Sequence, residues 1–287
     1  MSSSQPIVSI GMPVFNGERY IRDALDSLLA QTFTDFELII SDNASTDRTE
    51  QICRQYAAHD ARIRYVRQSV NLGALPNFQF VLEAAVGEYF MWAAYDDFWK
   101  PNFIAHALPA MNDKSVGFVF PTTIVKSIHL GVYKKIPRTI FKGFEDRDRN
   151  RRILSFANLH IYSYKGNLIY SLFRTNILRE AFAKQDISNE TIFCMFVLGA
   201  ARGVVMDEYN FYKRYPTRWP GVRRRRPKRL EKRLQFEKWR DENSDRAKSL
   251  FPELSAKLDL IRSNQEPANF HSGFQIVKDL LKPDSAE

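Results

Sequence analysis

Short β-rich runs alternate with amphipathic helical segments from residue 7 onward, and this alternation constrains the fold more than any other feature. Residues 7–12 form an apolar run that ends at Pro13, and the apolar residues of 20–29 recur at helical spacing. The same order continues with β-rich runs at 36–41, 62–67 and 89–94. Strands that alternate with helices are typical of a parallel sheet with helical crossover connections. We therefore predict an α/β domain.

Length and composition favour one enzyme-sized domain with an appendage. The chain has 287 residues, of which 44% are hydrophobic and 26% charged, and this excludes a disordered or low-complexity protein. Two cysteines are too few for a disulfide framework, and the first residues lack the order of a signal peptide, so we expect a cytoplasmic setting. The longest apolar run, residues 192–201, is about half of what a membrane-spanning helix requires.

The positive charge is concentrated in one segment. The formal net charge is +9, and residues 213–240 hold thirteen Lys and Arg against two Glu, a local balance of +11. Such a run suits a solvated face, a surface for anionic phospholipid or phosphate-rich substrate, or a nucleic-acid site. Nucleic acid is disfavoured because Arg223–Arg226 has no interleaved aromatic residue to stack on bases.

Polar clusters follow successive strands of the predicted sheet. They occupy residues 13–18, 42–47, 71–73 and 95–97. The carboxyl ends of parallel strands converge on one crevice, which is where open α/β sheets bind ligands. An aromatic ring, carboxylates and a further acid for a divalent cation suit a nucleotide diphosphate. The glycine-rich phosphate-binding signatures G-x-G-x-x-G and G-x-x-x-x-G-K-[ST] are missing, so we expect a metal to bind the pyrophosphate in place of a glycine loop.

Five motifs of the first half of the chain occur together in a familiar order and spacing. They are residues 8–18, 28–33, 37–47, 71–73, and 87–89 with the pair Asp96-Asp97. In these motifs the chain resembles the inverting family 2 glycosyltransferases of the GT-A fold, strongly over residues 5–110 and weakly to residue 215.

The resemblance implies a fold and a domain organisation. The expected fold is a GT-A, Rossmann-like, mostly parallel central sheet with flanking helices. Residues 1–215 are then the catalytic domain, divided into a nucleotide-binding half (5–110) and an acceptor-side half (111–215). Residues 216–287 are expected to form a basic helical extension, and 134–152 to be a loop or an exposed helix.

The resemblance also implies roles for individual residues. The loop that lines the base and ribose in the family corresponds to Pro13, Phe15 and Glu18. The acid that hydrogen-bonds the base, typically uracil, corresponds to Asp42, and the turn beside the nucleotide to Asn71 and Gly73. Purely structural roles stay open: Pro13 can simply end a strand, Phe15 can be core, and Ser45 and Asp47 can cap a helix.

The acidic motif after the fourth strand departs from the family pattern. The family has D-x-D or D-x-D-D there, whereas this chain has Ala94 at the first acidic position and keeps Asp96 and Asp97. Asp96 matches the metal-ligating acid, so the expected cofactor is Mg or Mn, held through one carboxylate and the diphosphate oxygens. The alternative is a pair of helix-capping acids before Pro101. Ala94 leaves open whether the metal is strictly required.

An inverting transfer needs a general base for the acceptor hydroxyl. In the family this base is an acid near the start of a helix, followed by a small residue and an extended stretch with a basic end. Counting back from Arg214 places Ala201 at the small position and Glu190 at the base, with Asp186 as the alternative. Arg214, with its neighbours Lys213 and Arg218, follows the last predicted strand and suits diphosphate contact or a solvated loop equally.

These assignments predict a cytoplasmic glycosyltransferase, free or peripheral at the inner membrane face. It moves a sugar from a nucleotide-diphosphate donor, with UDP the expected nucleotide, to an acceptor hydroxyl with inversion, in polysaccharide or glycolipid synthesis. The expected partners are the nucleotide sugar, a saccharide or lipid-linked acceptor, and an anionic membrane surface for residues 213–240.

One alternative on the same fold is a non-catalytic nucleotide-sugar-binding protein. Two departures from the family motivate it: Ala94 in the acidic motif, and Glu190 where the family more often has Asp. Hydrolase chemistry has little support, because the histidines and cysteines lack metal-binding spacing and no G-x-S-x-G elbow occurs.

Overall fold

A computed structural model gives the fold and describes residues 5–127, 133–159, 165–184, 190–215, 249 and 251–256. Nine strands lie in these ranges: β1 (Val8–Val14), β2 (Phe36–Asp42), β3 (Ile63–Arg67), β4 (Tyr89–Trp92), β5 (Phe98–Trp99), β6 (Val116–Ser127), β7 (Tyr133–Lys135), β8 (Leu172–Arg174) and β9 (Arg202–Tyr215). The helices are α1 (Ile21–Leu29), α2 (Thr49–His59), α3 (Ala74–Glu83), α4 (Phe103–Ala107), α5 (Arg149–Asn158), α6 (Thr175–Lys184) and α7 (Glu190–Ala200).

All nine strands belong to one sheet, in the order β3-β2-β1-β4-β8-β6-β9-β5, with β7 paired to β6. The predicted parallel core is confirmed, since β1 pairs in parallel with β2 and β4, and β2 with β3. Beyond β4 the sheet becomes mixed: β8 runs antiparallel to β4 and β6, whereas β6 and β9 are parallel. The two halves predicted from the sequence therefore share one continuous sheet.

The central strand β1 is covered on both faces. All seven of its residues are buried, which explains why its sequence is apolar without alternation. On one face, α1 presents Ile21, Ala24, Leu25 and Leu28, spaced as one helical stripe. On the other, Gly11 admits α3, because a Cβ at this position would lie 2.7 Å from side-chain atoms of Val81 and Phe90.

The prediction of a loop or an exposed helix for residues 134–152 is wrong. The segment contains β7, a 3₁₀ stretch over Arg138–Glu145 and the start of α5. Among its charged residues lie two aromatic residues, Phe141 and Phe144, which are at most 1% exposed. Both rings pack against Phe120 of β6. The charge pattern suggested solvent exposure, but burial of these two rings decides the structure.

One further detail differs from the expectations. Lys213 and Arg214 lie inside β9, which continues to Tyr215, and do not follow the last strand. The neighbouring strand β6 runs without a break through Pro121. The proline is accommodated because the β6–β9 register shifts between Phe120 and Thr122.

Most of the basic extension, residues 216–287, lies outside the described residues, and with it the helices expected there. The short described piece packs on the α/β domain: Phe251 and Leu254 are each 2% exposed, and Glu253 pairs with Arg149 of α5 at 3.2 Å. No helix in the described ranges is both long and apolar enough to cross a membrane.

Gly87 holds the start of β4 against β1, and this contact gives the first testable prediction. A Cβ on Gly87 would lie 2.6 Å from the backbone nitrogen of Ser9 and 2.9 Å from the carbonyl carbon of Val8. Backbone atoms of a central strand cannot move aside cheaply, so Gly87→Ala should lower the free energy of unfolding by about 1–3 kcal/mol in urea denaturation. The neighbouring exposed change Val86→Ala should stay within about 0.5 kcal/mol. Equal stability of the two variants would contradict the packing argument.

Candidate functional site

The loop after β1 and the loop after β2 are tied together by a set of hydrogen bonds that we call the loop clasp, residues 16–18 with 45–49. Three consecutive backbone N–H groups, at 16–18, donate to side chains of the second loop: Ser45 Oγ at 2.9 Å, Thr49 Oγ1 at 2.8 Å and Asp47 Oδ2 at 3.0 Å. In return, Asn16 Oδ1 accepts from Thr46 N–H at 2.8 Å, and Glu18 Oε2 accepts from Arg48 N–H at 3.1 Å.

The loop clasp shows what two of the sequence-selected acids do in this structure. The Glu18 carboxylate accepts hydrogen bonds from the N–H and Nε of Arg48 and does not line the adjacent pocket. Asp47 accepts the N–H of Thr49 at 2.9 Å just before α2, but the N-cap residue of this helix is Arg48, and no side chain caps it. The pKa of Asp47 lies below its ordinary value, because the hydrogen bonds from Thr49 and Glu18 outweigh the partial burial that acts to raise this pKa.

A pocket of about 340 Å³ opens at the carboxyl ends of β1 and β2. Four sequence-selected residues line it together: Pro13, Phe15, Asn71 and Gly73. Its other polar and aromatic walls come from Asn43, Asn77, Phe78 and Tyr95. The position is the ligand site expected of an open α/β sheet, and the size falls in the range of roughly 300–1,000 Å³ that suits small molecules.

Asn43 fixes the turn at residues 71–73 to the end of β2. Its Nδ2 donates to Asn71 Oδ1 at 2.8 Å and to the carbonyl of Gly73 at 2.9 Å, and its Oδ1 accepts from Leu72 N–H at 2.8 Å. Gly73 has a φ of +87°, in the left-handed region that favours glycine, and it precedes α3. The floor of the pocket is therefore held by an amide network.

Asn77 is a pocket residue that sequence reasoning missed. It is 3% exposed and joins α3 to β2, because its Nδ2 donates to the carbonyl of Ser41 at 3.0 Å and its Oδ1 accepts the Ser41 hydroxyl. The available signal was one amide on the inner side of a helix whose other buried residues are apolar, Val81 and Leu82. A buried amide in such a position needs partners, and here they lie on the neighbouring strand.

Asp42 lies behind the pocket and does not line it. The carboxylate is fully buried and accepts hydrogen bonds from Ser45 N–H at 2.8 Å, Tyr65 Oη at 2.8 Å and Arg67 Nη1 at 3.1 Å. Burial, reinforced by this hydrogen bond, raises the pKa of Tyr65 above its ordinary value. In the described structure Asp42 supports the end of β2, and its contact with a base stays a prediction.

The two adjacent acids after β4 have different surroundings. Asp97 is fully buried and accepts from Lys213 Nζ at 2.9 Å and from Arg214 N–H at 2.8 Å. Burial raises the pKa of Asp97 to about 6, against the opposing effect of the Lys213 ammonium. Asp96 is half-buried, and no residue of the described ranges donates a hydrogen bond to its carboxylate. Only Asp96 is thus left to bind a ligand.

These residues fit a divalent cation that arrives with its ligand. Ala94 occupies the first acidic position, Asp97 is already paired, and the described ranges contain no group of three or more His, Cys, Asp or Glu residues that could hold an ion. Mg²⁺ is commonly bound through one or two carboxylates together with substrate phosphates. Asp96 alone suits that mode, with the phosphates and water completing the coordination.

Arg214, another residue selected from the sequence, does not line the pocket. Arg214 is 9% exposed, and its guanidinium pairs with Asp23 of α1 and lies 5.0 Å from the ring centre of Tyr20. Glu190 is the first residue of α7, and its side chain lies outside what the structure describes. Asp186 and Arg218 are also outside the described residues.

Comparison with known proteins was made on the sequence and on the structure. The sequence model of one family, described as Glycosyl transferase family 2, matches residues 9–174, more than half of the chain. The putative teichuronic acid biosynthesis glycosyltransferase TuaG of Bacillus subtilis is 37% identical over 120 residues, 42% of this chain and 48% of TuaG. An uncharacterized glycosyltransferase of Rickettsia typhi is 37% identical over 107 residues, 37% of this chain and 32% of that protein. The matches thus span a third to a half of these relatives.

Two solved structures share the fold. Staphylococcus aureus TarS 1–349 in complex with UDP-GlcNAc superposes with a TM-score of 0.56 and 21% identity, over 74% of this chain and 59% of TarS 1–349. The mannosyltransferase PcManGT of Pyrobaculum calidifontis, in complex with GDP-Man and Mn²⁺, gives a TM-score of 0.57 and 16% identity, over 96% of this chain and 74% of PcManGT. At these identities the likeness concerns the fold, and it confirms the predicted GT-A type.

The loop clasp predicts a pH-dependent loss of stability. Because the folded protein lowers the pKa of Asp47 from 3.8, the stability it contributes is present above pH 3.8 and is lost as the pH falls through the lower folded value. Asp47→Ala should cost about 1 kcal/mol at pH 6, and the gap to wild type should close towards pH 3 in urea titrations. Asp35→Ala, at an exposed acid, serves as the matched control. A gap that is independent of pH would contradict the assignment.

Proposed function

Because the chain belongs to glycosyl transferase family 2, we propose that it transfers a sugar from a nucleotide-diphosphate donor to an acceptor hydroxyl with inversion. One observation carries the proposal: the pocket at the carboxyl ends of β1 and β2 is walled by Tyr95, and the next residue is Asp96, the carboxylate without a partner in the described ranges. The pocket proposed for the nucleoside and the carboxylate proposed for the phosphate side of the ligand are thus formed by adjacent residues.

The nucleoside is proposed to occupy the pocket with its base against an aromatic ring. Phe15 lines the pocket and is 41% exposed, so its ring is available for stacking, and Asn43 and Asn71 supply polar groups at the floor. UDP is the proposed nucleotide, because the resemblance matches Asp42 to the family's acid that hydrogen-bonds the base, typically uracil. The structural neighbours have been solved with UDP-GlcNAc and with GDP-Man, so the nucleotide is a point for experiment.

Charge on the leaving diphosphate must be offset during transfer. A divalent cation held by Asp96 and the phosphate oxygens would supply this as a Lewis acid. Asp97 and Lys213 support the position, because their ion pair at 2.9 Å fixes the turn that presents Asp96. For Arg214 to contact the diphosphate, its guanidinium would have to leave Asp23.

Glu190 is the proposed general base that takes the acceptor proton. It begins α7, and a helix N-terminus favours the ionised carboxylate, which is the state a general base requires. Asp186 remains the alternative. An acceptor from polysaccharide synthesis is consistent with the teichuronic acid assignment of the relative TuaG, and a lipid-linked sugar has the same reactive hydroxyl.

Calorimetric titration with UDP, GDP and TDP, each with Mn²⁺ and with EDTA, tests the donor site. We expect one nucleotide to bind, with affinity at least tenfold weaker in EDTA and in Asp96→Ala, since both remove the phosphate-side cation. Glu50→Ala, at a half-buried acid of α2, is the control and should bind like wild type. If none of the three nucleotides binds, the proposal fails.

Turnover separates the transferase from a non-catalytic binding protein. With the nucleotide so identified, donor hydrolysis or transfer should be measured for wild type, Glu190→Gln and Asp186→Asn. We expect Glu190→Gln to lose at least 100-fold in rate while its donor affinity is retained, because a missing general base typically costs about 10²–10⁴ in rate. Asp186→Asn should not show this loss. Donor binding without turnover under any divalent metal would favour the binding protein.

Residues 213–240 are proposed to contact an anionic membrane surface through the part that follows β9. Lys213 and Arg214 are paired with Asp97 and Asp23, and without these two cations the balance of +11 leaves +9 for residues 216–240. Each basic residue near an anionic surface contributes about 1 kcal/mol, so changing Arg223–Arg226 to Gln should abolish flotation with phosphatidylglycerol vesicles. Vesicles of phosphatidylcholine serve as the uncharged control. Unchanged flotation of the variant would refute the proposal.

A further inference from the structure

A second cavity, of about 580 Å³, lies at the edge of the sheet opposite the nucleotide pocket. The cavity adjoins the first residue of β9 and the turn before β6. Strands β6 and β9 are parallel to each other. Because β8 is antiparallel to both β6 and β4, and β4 is parallel to β1, all four of these strands run in the same direction as one another. Their amino ends therefore lie at the edge away from the carboxyl ends of β1 and β2. Its polar lining consists of Asp113, Ser115, Arg147, Arg152 and Arg202.

Arg152 is a buried cation whose hydrogen-bond partners are all neutral. It is 5% exposed; its Nε donates to the carbonyl of Leu198 at 2.6 Å, and its Nη1 donates to the carbonyls of Asp146 and Arg147 at 3.0 and 2.9 Å. Its Nη2 meets no acceptor among the described residues. A buried guanidinium without a bound anion is costly, and this one lines a cavity with room for such an anion.

The other two arginines of the cavity also keep unused donors. Arg202 uses Nη2 for Asp113 Oδ2 at 2.7 Å and for Ser115 Oγ at 3.2 Å, and within the described ranges its Nε and Nη1 have no acceptor. Arg147 is exposed, and its side chain has no acceptor in the same ranges. Among the residues that line the cavity, three arginines thus stand against one carboxylate, that of Asp113, a balance of +2.

Two further acids, Asp146 and Asp148, lie close enough to attract the Arg152 guanidinium, although neither lines the cavity. Asp148 caps α5 by accepting the N–H of Arg151 at 2.8 Å, and Asp146 accepts the N–H of Asp148 at 2.8 Å. Asp146 also lies 4.0 Å from the guanidinium of Arg151, which does not line the cavity. Within the described ranges, neither carboxylate accepts a hydrogen bond from the side chains of Arg147, Arg152 or Arg202, so their remaining N–H donors stay available to an anion.

We propose that this cavity binds a phosphate group, at a site separate from the nucleotide pocket. Guanidinium groups bind phosphate through paired N–H donors, and a charge of +2 matches a phosphate dianion better than a single carboxylate. The hydroxyl of Ser115 adds a neutral donor. The proposal does not depend on glycosyl transfer, because no residue of the nucleotide pocket contributes to it.

Calorimetry with inorganic phosphate and pyrophosphate tests the site on the full chain, at constant ionic strength and in EDTA, so that no cation at Asp96 can recruit the anion. We expect saturable binding, at least tenfold tighter than that of acetate. Arg202→Gln should weaken it about tenfold and Arg147→Gln about threefold, in proportion to the charged hydrogen bonds removed. Arg151→Gln, which removes a neighbouring arginine outside the cavity, should leave the affinity unchanged.

Equal affinity of wild type and Arg147→Gln, both folded, or no saturable binding by wild type, would overturn the proposal. The expected weakening of phosphate binding in the two cavity variants, with flotation on phosphatidic acid vesicles unaffected, supports a soluble phosphate ligand. If flotation also depends on Arg147 and Arg202 but not on Arg151, the phosphate comes from a lipid headgroup.

Discussion

The parallel pairing of β1 with β2 is the constraint on which the rest of the site depends. It aligns Val14 with Asp42, so the two following loops leave the sheet side by side and can exchange the hydrogen bonds of the loop clasp. The clasp in turn stabilises Asn16 and Ala44 at φ values of 52° and 60°, which non-glycine residues seldom adopt. Those backbone conformations turn Phe15 and Asn43 towards the same pocket, so a sheet contact sets the shape of the ligand site.

The part of this site that sequence reasoning recovered is the part encoded locally. Pro13, Phe15, Asn71 and Gly73 belong to turns at strand ends, and a turn's identity follows from a few adjacent residues. The parallel strands and their helices were predictable for the same reason, since hydrophobic periodicity is a local signal. The carboxyl ends of parallel strands meet at one edge of a sheet, and the structure brings these turns together there around one pocket.

What sequence reasoning did not recover depends on partners far away in the chain. From the sequence, Arg214 suited a diphosphate contact or a solvated loop equally, whereas in the structure it pairs with Asp23, 191 positions earlier. Asp42 looked available to a base, but Tyr65 and Arg67 on β3 surround its carboxylate. The segment 134–152 looked exposed because its charges outnumber its aromatics, and no local pattern shows that β6 will cover Phe141 and Phe144. Burial is a property of the assembled sheet, and charge composition is a weak guide to it.

The two acids after β4 have unequal surroundings, and this difference supports the proposed cation site. Two neighbouring carboxylates repel each other, and a second anion next to a bound cation must be neutralised or it will compete for the ion. Lys213 Nζ and the backbone N–H of Arg214 donate to the two oxygens of Asp97, which anchors the turn to β9 and leaves Asp96 as the open carboxylate of the pair. Because Ala94 stands where the family has a further acid, we propose that a divalent cation binds here together with the donor, whose phosphates add to the charge of the single carboxylate.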